Sequence, residues 1–236
     1  MNVYNQILVQ SPSAVGMQKF MTKTYGWMTI GLLTTAVVAW MAINDGKVMY
    51  TILNNPLMFW GIMIGQIAAV MIISFLINRI SAQTATALFI VYSALTGLFL
   101  SLILVRFASV TITSTLFITA GTFAATTLLG YTTKKDLSSV GGFLLMGLIG
   151  IIIATAVNIF LRNPTIYWAI NYIGLAIFIG LTIYDTQKLK AMGEALEAEN
   201  TAPEQMQKYA IFGALELYLD LINMFIFFLR IIGGRR

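Results

Sequence analysis

The chain has no histidine and no cysteine, and only 10% of its 236 residues are charged. Without cysteine there is no disulfide and no thiolate metal site. Without histidine there is no imidazole zinc site and no catalytic triad built on that base. Soluble domains carry about 25% charged residues, so a soluble globule is excluded. Disorder is excluded too, because disordered chains need more charge and less apolar content. What remains for chemistry is 14 Lys+Arg, 9 Asp+Glu, tyrosine hydroxyls and the backbone. No cofactor is expected from this set.

What the chain does have is apolar residues, 58% of the total. They fall into seven runs, approximately 25–43, 57–78, 83–105, 110–130, 140–161, 166–184 and 209–232. Each is near the roughly 20 residues that a helix needs to cross a bilayer. The runs are continuous rather than alternating, and about twice the length of a barrel strand. The expected class is therefore an all-α membrane protein with seven transmembrane helices. Polar punctuation separates the runs: Asn44-Asp45-Gly46-Lys47, Asn54-Asn55-Pro56, Arg79, Arg106, Lys134-Lys135-Asp136 and Arg162-Asn163-Pro164. The domain reading is a short polar N-terminal segment (1–24), one membrane domain (25–232) and a basic tail (233–236). No cleavable signal is expected at the N-terminus. The longest polar stretch, 185–208, is left without an expected conformation beyond its Lys and Glu content.

The formal charge is +5. Its basic residues flank apolar runs, as membrane anchors do, and form no phosphate-tracking stripe. The lipid bilayer is the expected partner and nucleic acid is not. Placing Lys19, Lys23, Arg79, Lys134, Lys135, Lys188, Lys190 and Lys208 inside leaves Lys47, Arg106 and Arg162 outside, so the N-terminus is expected in the cytoplasm. Arg230, Arg235 and Arg236 then fall outside, which a full crossing of the last helix requires.

Acids within the runs are few. Asp220 lies deep in the last run, where insertion of a carboxylate costs about 2.5–3.5 kcal/mol. Gly213, Glu216, Asp220 and Asn223 fall on one helical face. That polar stripe is expected to line an ion route through Glu216, Asp220 and Asn223. Asp185 closes the sixth run, where the helix dipole disfavours an anion, so a counter-charge is expected. Arg79, on the same predicted membrane side, is the nearest candidate. Two carboxylates and an arginine would form a titrating unit, the best pH sensor available without histidine. Carboxylates also suit calcium, so Asp185 and Asp220 could contact that ion transiently.

Together, Ile183-Tyr184-Asp185-Thr186-Gln187 and Ala214-Leu215-Glu216-Leu217-Tyr218-Leu219-Asp220-Leu221-Ile222-Asn223-Met224-Phe225 resemble the signature of the Bax inhibitor-1 (transmembrane Bax inhibitor motif) family in its bacterial branch. The resemblance covers nearly the whole chain. It implies six helices around a central seventh, and a pH-sensitive calcium leak gated by two aspartates and an arginine. Carried over by position, these are Asp185, Asp220 and Arg79. Glu216 departs from the pattern, standing where a small or neutral polar residue is expected.

Other classes share parts of this pattern. A calcium/proton exchanger would use the same membrane carboxylates. A non-conducting regulator would bind other membrane proteins, such as a quality-control protease. An intramembrane aspartyl protease also pairs Tyr-Asp with a second Asp, but it sets that second acid in Gly-x-Gly-Asp, and this chain has Leu217-Tyr218-Leu219-Asp220 there. The expectation is a non-enzyme, resident in the bacterial cytoplasmic membrane, that handles calcium and protons.

Overall fold

A computed structural model describes residues 12–234. Among them no strand occurs; the elements are α1 (Pro12–Asn44), α2 (Gly46–Asn54), α3 (Pro56–Leu76), α4 (Ala82–Leu104), α5 (Ser109–Thr132), α6 (Ser138–Leu161), α7 (Pro164–Ala198) and α8 (Pro203–Gly233). All except α2 are long and apolar enough to cross a membrane, which gives seven candidate spans.

The boundaries follow from local chemistry. Asn55 accepts from the Leu57 and Met58 amides, and Pro56 opens α3 behind it. Asn163 does the same for α7, accepting from the Thr165 and Ile166 amides, with Pro164 in the first turn. An Asx cap accepts from amides that a helix start leaves unpaired, and an early proline has no amide to satisfy. Arg162 closes α6 in the left-handed region at φ 50°. Asn200 adopts φ 49° beyond α7, where the Asn200 amide bonds the Glu197 carbonyl and the Thr201 amide bonds the Leu196 carbonyl. Asparagine tolerates that conformation better than most residues, which suits a helix end.

Three elements go beyond what the sequence indicated. First, α1 begins at Pro12, well before 25. Met17, Phe20, Met21, Thr24 and Met28 are buried while Lys19 and Lys23 are exposed. That three-to-four spacing is an amphipathic helix, whose polar face hides it from a search for continuous apolar runs. Second, the Asn44–Pro56 connection holds the short helix α2, capped by Asp45. Third, the 185–208 stretch is helical except for residues 199–202.

The chain forms two compact units. One comprises the chain up to Val105 with Leu189–Leu215; the other comprises Arg106–Lys188 with the chain from Glu216 on. In the first unit α1 and α4 approach closely. A Cβ on Gly97 would press on the Thr35 carbonyl oxygen, and the Thr35 hydroxyl bonds the Ser93 carbonyl at 2.9 Å. In the second unit a Cβ on Gly130 of α5 would collide with the Ile183 carbonyl oxygen of α7. Ile151, Ile170, Ile177, Phe178, Leu181, Met224 and Phe227 form its apolar core. Small residues at such crossings let membrane helices pack by close contact, since lipid offers no hydrophobic drive between them.

The exposed faces are apolar. Phe75, Phe117, Phe143, Met146, Ile152 and Phe160 all lie open. Such surface is a liability in water and the required surface in hydrocarbon. Conversely, α8 is the most buried of the seven spans, and none of its residues from Met206 to Gly233 is exposed.

Candidate functional site

All charged groups of the candidate site belong to the second unit. Asp185 lies on α7, thirteen residues before the helix ends at Ala198. The expected dipole penalty at this position is therefore corrected, because the helix runs on through the polar stretch. The compensating charge is also on the same helix. Lys188, one turn along, places its Nζ 3.8 Å from Asp185 Oδ1. The same Nζ donates to Glu216 Oε1 of α8 at 2.5 Å. Side-chain exposure is 33% for Lys188, 19% for Glu216 and 13% for Asp185, so the group is largely withdrawn from solvent.

Asp220, one turn after Glu216, is 3% exposed. Its carboxyl adjoins that of Asp185 across the two helices. Asp220 Oδ2 has no hydrogen-bond partner, and neither has Glu216 Oε2. A buried carboxylate oxygen without a partner is costly. Here two of them occur one turn apart. Among the described residues, no three acids are arranged as a metal-holding group.

The cluster rests on a fixed support. Gln187 accepts the Leu137 amide with its Oε1 at 3.0 Å and donates to the Lys135 carbonyl at 2.8 Å. It thereby ties α7 to the α5–α6 connection. Tyr184 lies against Gly141 of α6, where a Cβ would overlap its ring. In that connection Asp136 accepts from both the Ser138 amide and hydroxyl, which holds its carboxyl below the usual range.

The structure thus brings together three of the sequence-expected residues, Asp185, Asp220 and Glu216. Asn223 is on the same face of α8 but donates its amide to the Leu219 carbonyl of its own helix at 2.8 Å. Arg79 follows α3 in the first unit, where its amide bonds the Leu76 carbonyl. The residue that sequence reasoning missed is Lys188, read there as a membrane-flanking charge. The available signal was its position three residues after Asp185, the spacing of a same-face pair on a continuing helix.

A family of multi-pass helical membrane proteins is defined by this architecture and by the Asp-bearing last two helices. Residues 17–236 match the family described as inhibitor of apoptosis-promoting Bax1. The chain is 50% identical over 221 residues to the inner membrane protein YbhL of Escherichia coli (strain K12), covering 94% of each. It is 42% identical to a Borreliella burgdorferi protein, over 92% of this chain and 93% of that one. It is 37% identical to a Rickettsia prowazekii protein, over 94% and 92%. The chain belongs to the Bax inhibitor-1 family.

Proposed function

We propose that the protein is a pH-sensitive calcium leak channel of the bacterial cytoplasmic membrane. The observation that carries this reading is Asp220: a carboxyl deep in the last helix, 3% exposed, beside Asp185 and with one oxygen unpartnered. Ionisable groups placed at such cost within spans serve ion and proton pathways. In this reading the Asp185–Asp220 pair holds the closed state while ionised, with Arg79 as its latch by family resemblance. Acid protonates the pair, removes the attraction and opens the path. One pKa unit corresponds to about 1.4 kcal/mol, so one or two protons can tip a closed state favoured by a few kcal/mol. Glu216 and Asp220 line the route, and Asn223 continues it along the same face. The membrane assignment follows the Escherichia coli relative, which is an inner membrane protein.

The test is calcium flux from liposomes holding the purified protein, between about pH 6 and 8, the range in which paired buried carboxylates can titrate. Leak should rise as pH falls. Asp185→Asn should flatten the profile, and Arg79→Ala should leak more at alkaline pH. Asp136→Asn should leave the profile unchanged. The depressed folded-state pKa of Asp136 means that its stabilising contribution is present above the ordinary value and lost only as pH falls through the lower folded value, far below this window. A parent protein that passes no calcium at any pH overturns the leak reading in favour of a non-conducting regulator. Flux that follows an imposed proton gradient overturns it in favour of an exchanger.

A further inference from the structure

We propose that Lys188 is a resident counter-cation of the Asp185–Glu216–Asp220 cluster, a tethered ammonium that a permeant divalent cation must displace. This goes beyond the leak reading and rests on it only for the flux measurements below.

The argument begins with charge. Three acids and one ammonium share a pair of adjoining helix turns, at 185–188 and 216–220. Lys188 Nζ bridges the two helices, 2.5 Å from Glu216 Oε1 and 3.8 Å from Asp185 Oδ1. It satisfies one oxygen of Glu216 and leaves Oε2 without a partner. Asp220 Oδ2 is also unpartnered, and its side chain is 3% exposed. The cluster therefore holds more carboxylate oxygen than one ammonium can engage. A lysine donates through three N–H groups from a single point charge. A hard divalent cation instead gathers six or more oxygens, from several carboxylates at once. The three acids form no ready metal-holding group, so a divalent ion that displaces the ammonium would take the two unpartnered oxygens in passing, with water completing its shell.

Geometry supports displacement rather than a permanent bridge. The Lys188 side chain keeps 33% of its exposure, so its flexible stem has solvent into which the ammonium can withdraw. Asp220 has no such freedom. Its burial fixes the acid end of the cluster, while the lysine end borders solvent. The cluster then discriminates by charge. A monovalent ion only replaces the ammonium's own charge, whereas a divalent ion brings more charge to the same acids and engages the two free oxygens.

The experiment compares the parent, Lys188→Met, Lys188→Arg and Glu216→Gln in detergent. Equilibrium binding of radioactive calcium is measured, with potassium as competitor, and calcium flux is measured in liposomes. Lys188→Met keeps the apolar stem and removes the charge. It should bind calcium about ten-fold more tightly, which is about 1.4 kcal/mol, and should leak at a pH where the parent is closed. Lys188→Arg keeps the positive charge, so its calcium affinity should stay below that of Lys188→Met. Glu216→Gln removes one acid and frees the ammonium for the others, so its calcium affinity should fall. It also tests the proposal should Lys188→Met not fold, because a merely structural salt bridge predicts no such opposite change in affinity. Parent affinity in folded Lys188→Met, or unchanged affinity in Glu216→Gln, overturns the counter-cation role. If binding shifts as expected but no variant passes calcium, the counter-cation role stands and the leak reading fails. If the parent leaks with acid while Lys188→Met keeps its affinity and profile, the leak reading stands and the counter-cation role fails.

Discussion

At the residue scale, membrane cost decides which groups matter. Asp220 and Leu219 are neighbours in α8, yet about 100° apart around the helix. Asp220 is buried in the acid cluster, and Leu219 lends its carbonyl to Asn223. Asp220→Ala should change calcium permeation in liposomes sharply. Leu219→Ala should change it several-fold less, because the backbone carbonyl it contributes survives the substitution. Equal effects would remove Asp220 from the ion route. Asp220, Asp185 and Glu216 were legible in sequence because a carboxylate within an apolar run is expensive and needs a reason. Lys188 was not, because a lysine at the end of an apolar run has an ordinary explanation as an anchor. Only the unbroken course of α7 turns it from a flank into a neighbour of Glu216. Asn223 shows the reverse. Its place on the polar face was readable, but a side chain that bonds its own helix carbonyl leaves no trace in spacing.

At the element scale, helices were readable wherever an apolar run ended at a breaker. Asn55-Pro56 and Asn163-Pro164 mark the observed starts of α3 and α7 closely. Helix ends were lost where polarity rises without a breaker. The 35 residues of α7 span about 52 Å at 1.5 Å per residue, against a hydrocarbon core of about 30 Å. Its last turns must therefore lie beyond the hydrocarbon, where Lys and Glu are at home. Crossings between helices are set by small residues whose importance composition cannot reveal. The frequent threonines fit packing, and many return their hydroxyls to the carbonyl four residues back, as Thr115 and Thr119 do. Gly130 is more exacting, since a Cβ there meets backbone of α7 that no rotamer change can move aside. Gly130→Val should destabilise the protein by about 1–3 kcal/mol, the usual cost of overpacking. It should lower the thermal midpoint in detergent. Gly121→Val, on the same helix with open space at its Cβ, should leave that midpoint nearly unchanged. An equal fall in both would mean that α5 does not depend on this close approach.

At the scale of the whole molecule, the seven candidate spans turn charge placement into a topology. An odd number of full crossings puts the two termini on opposite sides. Of the loop charges, Arg79, Lys134 and Lys135 fall between α3 and α4 or between α5 and α6. Lys47, Arg106 and Arg162 fall in the alternate connections. Lys19, Lys23, Lys188, Lys190 and Lys208 lie on the first side, on helix segments that continue beyond the apolar runs. Lysine and arginine accumulate on the cytoplasmic side of short loops, so we propose that side for the α1 start and the α7–α8 turn. The opposing charges are Arg230, within α8, and Arg235 and Arg236, which lie outside the described residues. Positive charge can be carried outward at the end of a last span, because the bias of the earlier loops sets orientation before that helix is reached. A reporter active only in the cytoplasm, fused at Asn200, should be active. One fused at Asp45 should be silent there and should respond to an external reporter. The fusion at Arg236 is decisive for α8. An external signal establishes its full crossing. A cytoplasmic signal would mean that α8 returns to the side it started from, and the route past Glu216 and Asp220 would then have to open on one face only.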